Sequence, residues 1–317
     1  MKRTRGLLVL LMVFTLVSGA MAADFPNEPI RLVLPMAPGG STDVTARAFA
    51  EVAKNYCDQP FVVVNMPGAS GNTGIEEVVR SKPDGHTLLF FHTMALSTFH
   101  TGVQKKSTFE TLDPIASLAE APNTIQVHAT SPWQTLEDLA ADAKNRPGKI
   151  TWAIGGIGGT THFTTAGVTD GLGIEIRLVV YQGGAERRAA LAGKQVDVVT
   201  GTIGEGWDFF QEGTVRYLAV SGDQRVKVLP DVPALGELGI NAIGLTYYLW
   251  APKGTPPEVK AALQDIIEKA CADPKFIELN ENYFQTVAFR KGEELETQMR
   301  EQDAIIAELA EKLGLKE

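Results

Sequence analysis

Near its start the chain reads Arg31-Leu-Val-Leu-Pro-Met-Ala-Pro-Gly-Gly-Ser-Thr-Asp-Val-Thr-Ala-Arg47: a short apolar run, a Pro/Gly turn and the start of a helix. Gly39 and Gly40 permit positive φ angles and close approach of another group to the backbone. Ser41 and Thr42 are helix-capping residue types, so we expect the helix to begin at one of them. The free N–H groups and dipole of such a helix start suit an anion, most simply a carboxylate. An ordinary strand-to-helix loop uses the same residues, and this segment alone favours that simpler interpretation.

The first 22 residues have the pattern of a secretory signal peptide. Three basic residues precede the apolar run Leu7–Val17, and Ala20-Met-Ala22 fits the small-residue cleavage rule. We expect cleavage before Ala23 and export of the mature chain. An uncleaved anchor is the alternative, but the run is short for a membrane span.

Charge and size limit the classes of function. The chain has 29 basic and 38 acidic residues and a net charge of −9; without the first 22 residues, 26 basic residues remain and the net charge is −12. Such an acidic chain argues against nucleic acid as a partner. A small anion remains possible, because a helix start acts over one turn only. A mature chain of roughly 300 residues, 44% apolar over the whole sequence, would usually divide into two domains.

The chain contains two cysteines, Cys57 and Cys271. They could pair in an oxidising compartment or remain as buried thiols, and the sequence favours neither state. Neither lies in a CxxC motif or has the spacing of a metal ligand.

The first half of the chain continues as alternating strands and helices. Apolar runs at Phe61–Val64 and Thr87–Phe91 predict buried strands, and a second glycine-rich loop, Asn65–Gly74, leads into another helix. The order βαβαβ predicts a mainly parallel sheet with helices on both faces. Ligands collect at the carboxyl ends of such strands, where both loops lie.

The pattern begins again at Asn123. Thr135-Leu-Glu-Asp138 is typical of a capping box at a helix start. Ile150–Ile154 predicts a strand that leads into Gly155-Gly-Ile-Gly-Gly-Thr-Thr-His-Phe163 and a helix, which repeats the opening arrangement. Two such half-sites facing each other across a cleft would enclose an elongated ligand with a polar group at each end.

Near the end of the chain, Tyr247, Tyr248 and Trp250 cluster before a strong helix start at Thr255-Pro-Pro-Glu258, and a last helix starts near Glu293. The buried faces are predicted to be Val259, Leu263, Ile266 and Ile267 in the first of these helices and Leu295, Met299, Ile306, Leu309 and Leu313 in the second. Neither helix has a sheet of its own. We therefore expect both to pack on the first domain, with the chain crossing between domains near residues 122 and 245.

The sequence lacks the common catalytic motifs. Neither glycine loop continues into Gly-Lys-Ser/Thr, Gly156-Ile-Gly158 lacks the third glycine of a dinucleotide fingerprint, and no Gly-x-Ser-x-Gly occurs. The five histidines are scattered without metal-ligand spacing. We expect no cofactor, no metal and no catalytic residue, and binding without turnover. A secreted hydrolase that uses Ser41 is an alternative.

Single residues in the loops have competing roles. Asp43 would stabilise its own helix through the dipole, whereas as a direct contact it would repel a carboxylate. His162 is expected to brace the second loop. Tyr181, Tyr247, Tyr248 and Trp250 are more often core residues than site walls.

Several segments together resemble the periplasmic receptors of tripartite tricarboxylate transporters, also called Bug receptors. These segments are Pro29–Asp43, Asn65–Asn72, Pro83–Leu88, Leu229–Gly239 and Ala251–Pro256, in the correct order over nearly the whole mature chain. The resemblance implies a hinge-closing receptor that holds a carboxylated solute between two domains and delivers it to a membrane permease with one large and one small subunit. It also implies that the first loop, Ala37 to Asp43, and the second, Gly156 to His162, grip a ligand carboxylate.

The chain departs from the family pattern at two positions. The family usually has Ser where Gly159 stands, so Thr160 or Thr161 would supply that hydroxyl. It commonly has a glycine where Tyr248 stands, and a ring there would narrow the pocket or stack on a flat ligand. Both departures concern which ligand is bound and leave the class of protein unchanged.

Residues and resemblance together predict an α/β fold of two doubly wound αβα domains joined by a two-crossing hinge, like a type II periplasmic binding protein. The domains are predicted as residues 23–122 with 246–317, and residues 123–245. The expected ligand is a mono-, di- or tricarboxylate, an amino acid or an aromatic acid, bound by a monomer in the periplasm; presentation of that ligand to a sensor kinase instead of a permease is an alternative. The expected ligand contacts are Ala37, Pro38, Gly39, Gly40, Ser41, Thr42, Asp43, Ala69, Ser70, Thr93, Gly158, Gly159, Thr160, Thr161, Tyr181, Gly183, Thr202 and Tyr248.

Overall fold

The structure is a computed structural model that describes residues 25–181 and 184–315. The predicted signal peptide, residues 1–22, lies outside the described residues, as does the predicted site residue Gly183. Among the described residues, no helix combines the length and apolarity that a membrane crossing requires.

Strands and helices alternate along most of the described chain. The strands are β1 (Ile30–Leu34), β2 (Phe61–Asn65), β3 (Thr87–His92), β4 (Leu112–Ala121), β5 (Asn123–His128), β6 (Thr151–Ile154), β7 (Arg177–Val180), β8 (Val198–Thr202), β9 (Val215–Val220), β10 (Leu245–Pro252) and β11 (Thr286–Arg290). The helices are α1 (Ser41–Ala53), α2 (Asn72–Val79), α3 (Met94–His100), α4 (Thr108–Thr111), α5 (Leu136–Asn145), α6 (Thr160–Leu172), α7 (Gly184–Ala192), α8 (Ile203–Gln211), α9 (Pro257–Ala272), α10 (Pro274–Glu281) and α11 (Gly292–Lys312).

The strands form two sheets. One has six strands in the order β11-β4-β10-β3-β1-β2, and the other has five in the order β7-β6-β8-β5-β9. We call the six-stranded sheet and its helices lobe 1, and the five-stranded sheet and its helices lobe 2. The chain passes from lobe 1 to lobe 2 at Pro122 and returns between β9 and β10. This is the predicted α/β architecture with two crossings.

The prediction of mainly parallel sheets is wrong, because both sheets are mixed. In lobe 1, β1 is parallel to β2 and β3, but β10 is antiparallel to β3 and β4, and β11 is antiparallel to β4. In lobe 2, β6 is parallel to β7 and β8, while β5 is antiparallel to β8 and β9. The crossings explain the lobe 1 pattern, since the chain leaves that lobe along β4 and re-enters it along β10 in the opposite direction.

Alternation along β10 divides its aromatic residues between the two faces of the lobe 1 sheet. Tyr247 belongs to the core cluster that includes residues of α1 and α9. Tyr248 and Trp250 belong to the cluster on the other face, with residues of α3 and α11. All three rings are fully buried.

The two C-terminal helices pack on lobe 1 as predicted. The predicted faces of α9 and α11 are buried except for Leu313, which is 37% exposed. Helix α9 begins at Pro257, one residue later than a Thr255 cap predicts, because the Thr255 hydroxyl instead donates to the Pro252 carbonyl at 2.8 Å. Helix α11 also contacts α6 of lobe 2, where Lys312 pairs with Asp170 at 2.7 Å.

Both cysteines are free thiols. Cys57 is half-buried and Cys271 is buried in the core of lobe 1. Burial raises the pKa of the Cys271 thiol to about 12, so the reactive thiolate form is suppressed. Of the two states that the sequence left open, the structure has the unpaired one.

Candidate ligand site between the lobes

The first glycine loop follows β1 and leads into α1. Gly40 is the N-cap of the helix, with φ −81° and ψ 170°, and Gly39 before it has a φ of +84°. The predicted side-chain cap is absent, since neither Ser41 nor Thr42 occupies the cap position. A glycine cap has no side-chain acceptor to offer the first-turn N–H groups, which therefore remain suited to an outside acceptor.

The second glycine loop has the same conformation. Gly159 is the N-cap of α6, with φ −82° and ψ 169°, and Gly158 before it has a φ of +74°. Again no side chain caps the helix. The duplication seen in the sequence is therefore a duplication of backbone geometry, one copy in each lobe.

The positive-φ glycine of the first loop is braced by a carboxylate. The Gly39 amide donates to Asp43 Oδ2 at 3.0 Å, and the same carboxyl group accepts from Arg47 Nε at 3.0 Å and from Asn65 Nδ2 at 2.9 Å. Burial acts to raise the pKa of Asp43, but the hydrogen bonds from Arg47, Gly39 and Asn65 outweigh it and hold that pKa below its ordinary value. Asp43 is thus an ionised brace whose oxygens are engaged within lobe 1.

A histidine takes the equivalent position in the second loop. The Gly158 amide donates to His162 Nδ1 at 3.1 Å, four residues ahead, as Gly39 donates to Asp43. Burial lowers the pKa of His162, so the ring is neutral with its proton on Nε2. The bracing role expected for His162 agrees with this contact.

The loops approach each other through residues at the carboxyl ends of β3 and β10. Thr160 Oγ1 lies 3.4 Å from Nδ1 of His92, the last residue of β3. His92 is opposite Tyr247 in the β3–β10 ladder, and their ring centroids are 6.4 Å apart. The Tyr247 hydroxyl accepts from Gln285 Nε2 at 3.3 Å, and Gln285 Oε1 accepts from Thr45 Oγ1 of α1 at 2.9 Å. A continuous path of side chains, Thr45–Gln285–Tyr247–His92–Thr160, therefore joins α1 to the first turn of α6.

Lobe 1 also contacts the second loop through α3. Ser97 Oγ donates to the Gly158 carbonyl at 2.9 Å, and a Cβ at Gly158 would lie 2.6 Å from Thr101 Cγ2. The backbone of the second loop is therefore seated directly on lobe 1, with no space for a side chain at Gly158.

The predicted site residues differ in where they lie: most are at the two glycine loops, and the others are elsewhere in the lobes. Those at or beside the two loops are Ala37, Pro38, Gly39, Gly40, Ser41, Thr42, Asp43, Gly158, Gly159, Thr160 and Thr161. Ala37 to Gly40 are exposed, Ser41 is half-buried and Gly158 to Thr160 are buried. Ala69 and Ser70 form an exposed turn with φ values of +46° and +53°.

Several predicted residues have structural partners. Thr161 Oγ1 accepts from the Gly155 amide at 2.9 Å and so braces the second loop. Thr202 is the N-cap of α8, in a capping box with Glu205. Tyr181 is half-buried and packs on a core cluster of lobe 2.

Two predicted ligand contacts have hydroxyl groups that are already bonded within the protein. The Thr93 hydroxyl is fully buried, donating to the Gly244 carbonyl at 3.2 Å and accepting from the Thr246 amide at 2.9 Å, so it ties β3 to the returning chain. Tyr248 is a core residue whose hydroxyl donates to Gln302 Oε1 at 2.8 Å. Strand alternation turns its ring away from the face that carries Tyr247 and Ser41.

Tyr247 and His92 lie between the two loops, and neither is among the ligand contacts predicted from the sequence. Tyr247 is next to Tyr248, the residue predicted as a ligand contact. Strand alternation alone does not say which of two neighbouring residues faces the site. His92 ends a strand at the edge where ligands gather, and that position was a usable signal. Burial lowers the pKa of His92 to about 4 and raises that of Tyr247 to about 12, so both are neutral near pH 7.

Comparison with known proteins places this geometry in a family. A model of the family described as the tripartite tricarboxylate transporter family receptor matches residues 45–315. The chain belongs to this receptor family. The resemblance found in the sequence is thereby confirmed, and the chain is a solute-binding receptor rather than an enzyme.

Individual relatives are similar to this chain over most of its length. A Cupriavidus necator protein, named as the UPF0065 protein in the gbd 5′ region, is 34% identical over 82% of this chain and 79% of its own length. A TctC solute-binding protein from Polaromonas has a TM-score of 0.79 at 32% identity, covering 91% of this chain and 99% of its own. MatC of Rhodopseudomonas palustris, solved with bound malate, has a TM-score of 0.75 at 26% identity, covering 90% of this chain and all of its own.

No metal site accompanies the loops in the part of the receptor that the structure describes. Across residues 25–181 and 184–315, no group of three or more histidine, cysteine, aspartate or glutamate side chains could hold a metal ion. The donors within the two loops are backbone amides, hydroxyls and the neutral His162 ring, which suit an anionic organic ligand.

Proposed function

We propose that this receptor captures a small carboxylate between its lobes and delivers it to a two-subunit membrane permease. The observation that carries the proposal is the matched pair of glycine loops, one per lobe, each leading into a helix without a side-chain cap. Backbone N–H groups at two helix starts form charge-assisted hydrogen bonds with carboxylate oxygens, on the order of 1.5–3 kcal/mol each. The malate bound to the related MatC supports the same class of ligand.

The proposal also covers domains, location and partner. Residues 23–122 with 246–317, and residues 123–245, would act as two rigid bodies that close on the ligand about the two crossings. Cleavage before Ala23 would leave the mature receptor in the periplasm. The family description names a transporter, and this supports a permease as the partner that recognises the closed form.

The ligand contacts proposed first are the amides of Gly40 to Asp43, of Thr160 and of Thr161, with the hydroxyls of Ser41 and Thr160. The exposed residues Ala37, Pro38, Ala69 and Ser70 would line the rim. Thr93, Tyr248 and Asp43 would act only indirectly, because their polar groups already have partners within the protein.

The test is a thermal-shift and calorimetry screen of the mature chain, residues 23–317, against malate, succinate, adipate, citrate, glutamate and nicotinate. A true ligand at 100 times its Kd stabilises the folded state by about 2.7 kcal/mol, a clear rise in Tm. Ser41→Ala should weaken binding about tenfold, as expected for one lost charge-assisted hydrogen bond.

Thr297→Ala on the exposed surface of α11 is the matched control and should leave affinity unchanged. Absence of stabilisation by every anion, with the protein shown to be folded, would refute the proposal. So would unchanged affinity in both Ser41→Ala and Thr160→Ala.

A further inference from the structure

Lobe 2 contains a buried arginine, Arg187, that belongs to neither of the two glycine loops. Arg187, in the first turn of α7, is only 4% exposed. One terminal nitrogen, Nη2, donates to Glu205 Oε2 at 2.7 Å, but Nε has no hydrogen-bond partner among the described residues. A buried donor without a partner is costly, and a cation at a helix start also opposes the helix dipole. Both costs would be offset by an anion that binds there.

The guanidinium lies at the same edge of the sheet as the second loop. A Cβ at Gly155, the residue directly after β6, would be 2.5 Å from Arg187 Nη1, and a Cβ at Gly201 in β8 would be 3.5 Å from Nη2. Gly155 is itself tied to the loop by Thr161. Two glycines at the carboxyl ends of neighbouring strands therefore make room for this side chain beside the proposed carboxylate site.

Glu205 holds the guanidinium in place. Its Oε2 also accepts from the Thr202 amide at 3.3 Å in the capping box of α8, and a Cβ at Gly184 would be 2.6 Å from Oε1.

We propose that Arg187 is a specificity-determining residue, which binds a second carboxylate of the ligand through Nε, with Glu205 as its positioning residue. The inference rests on the proposed function. The first loop, with neutral donors only, would hold one end of the ligand, and Arg187 beside the second loop would hold the other. A monocarboxylate would leave Nε unpaired, so the preferred ligands are dicarboxylates.

The test compares pairs of acids with equal carbon number, succinate with butyrate and adipate with hexanoate, by calorimetry on the mature chain. The wild type should bind the dicarboxylate of at least one pair ten or more times more tightly than the monocarboxylate. Arg187→Met should reduce that ratio at least tenfold, while monocarboxylate affinity changes less than threefold. Arg187→Lys keeps the charge without the Nε donor and should give an intermediate ratio.

Arg177→Met is the matched control, because it removes the same charge from an exposed position. Arg177 is the first residue of β7, at the end of that strand away from the proposed site. It should leave the ratio unchanged. If the Met variant does not fold, the Lys variant alone decides, and a wild-type ratio in it contradicts the inference.

Two further outcomes distinguish this inference from the proposed function. If the wild type binds both members of each pair equally, or if Arg187→Met weakens both members equally, the dicarboxylate assignment is overturned while carboxylate capture stands. If no carboxylate of any kind binds the wild type, the proposed function itself fails.

Discussion

Gly39 and Gly158 occupy the same place in two copies of one loop: each has positive φ, and each donates its amide to the side chain four residues ahead. The acceptor is the carboxylate of Asp43 in lobe 1 and the neutral ring of His162 in lobe 2. The same backbone geometry is therefore stabilised by an anion in one lobe and by an uncharged group in the other. The two half-sites match in shape and differ in electrostatics.

Alanine at the two positions should have unequal effects. A Cβ at Gly39 meets nothing within 4 Å, so Gly39→Ala should lower stability only by backbone strain, about 1–2 kcal/mol. Gly158→Ala adds a collision with Thr101 Cγ2 and should be clearly worse. Denaturant unfolding measures both. Thr101→Ser removes that methyl group and should bring Gly158→Ala back to the level of Gly39→Ala; a lack of rescue would show that the lobes do not meet there.

Protonation of His92 should make the free energy of unfolding depend on pH. Its folded pKa is about 4 because of burial, against 6.5 as the ordinary value. Between these pH values the unfolded chain binds a proton that the folded chain does not. Stability is therefore complete above pH 6.5 and is lost as pH falls towards 4, by on the order of 3 kcal/mol in total.

The measurement is the free energy of unfolding from pH 7.5 to 4.5 for the wild type and for His92→Gln. In the wild type the Met94 N–H donates to His92 Nδ1 at 3.2 Å. In the variant, the side-chain carbonyl oxygen of the glutamine can accept that bond. The variant should have a shallower slope, with a residual slope from His162, whose pKa is also lowered. Identical slopes in the two proteins would contradict the assignment.

An aromatic contact between the lobes should contribute measurable coupling energy. The rings of Trp207 in α8 and Phe284, just before β11, have centroids 4.3 Å apart, and Phe284 has a φ of +57°. A non-glycine residue at positive φ is strained, and the ring contact helps to retain it. A double-mutant cycle with Trp207→Leu and Phe284→Leu should give about 1 kcal/mol of coupling. Additive effects of the two substitutions would mean that the rings are not coupled.

Neighbouring tyrosines provide a test of which face of β10 serves the site. Tyr247→Phe removes the hydroxyl that accepts from Gln285 Nε2 on the face of the sheet that packs on α1, and it should weaken carboxylate binding roughly fivefold, about 1 kcal/mol. Tyr248→Phe removes the bond to Gln302 and should lower Tm without changing Kd. Calorimetry with a ligand from the screen decides. If Tyr248→Phe lost more affinity than Tyr247→Phe, Tyr248 and not Tyr247 would be the tyrosine that serves the site.

Sequence reasoning located features that depend on neighbouring residues. The strand–glycine–helix units, the capping box at Thr135 and Asp138, and the buried faces of α9 and α11 all agree with the structure. Each follows from residues within a few positions of one another, such as a capping side chain or a stripe at helical spacing. The helix caps at Gly40 and Gly159 were missed because serine and threonine stood next to them and fit the same role.

By itself, the sequence determined the family, the two-part α/β plan and the positions of two loops of one design, because local propensities and motif order are written in adjacent residues. Only the tertiary structure decided the directions of β4 and β10, the choice of Tyr247 over Tyr248, and the meeting of Arg187 with Glu205 and of His92 with Thr160. These depend on which strands become neighbours and on how the two lobes approach. They arise from packing between residues far apart in the chain, which no local pattern encodes.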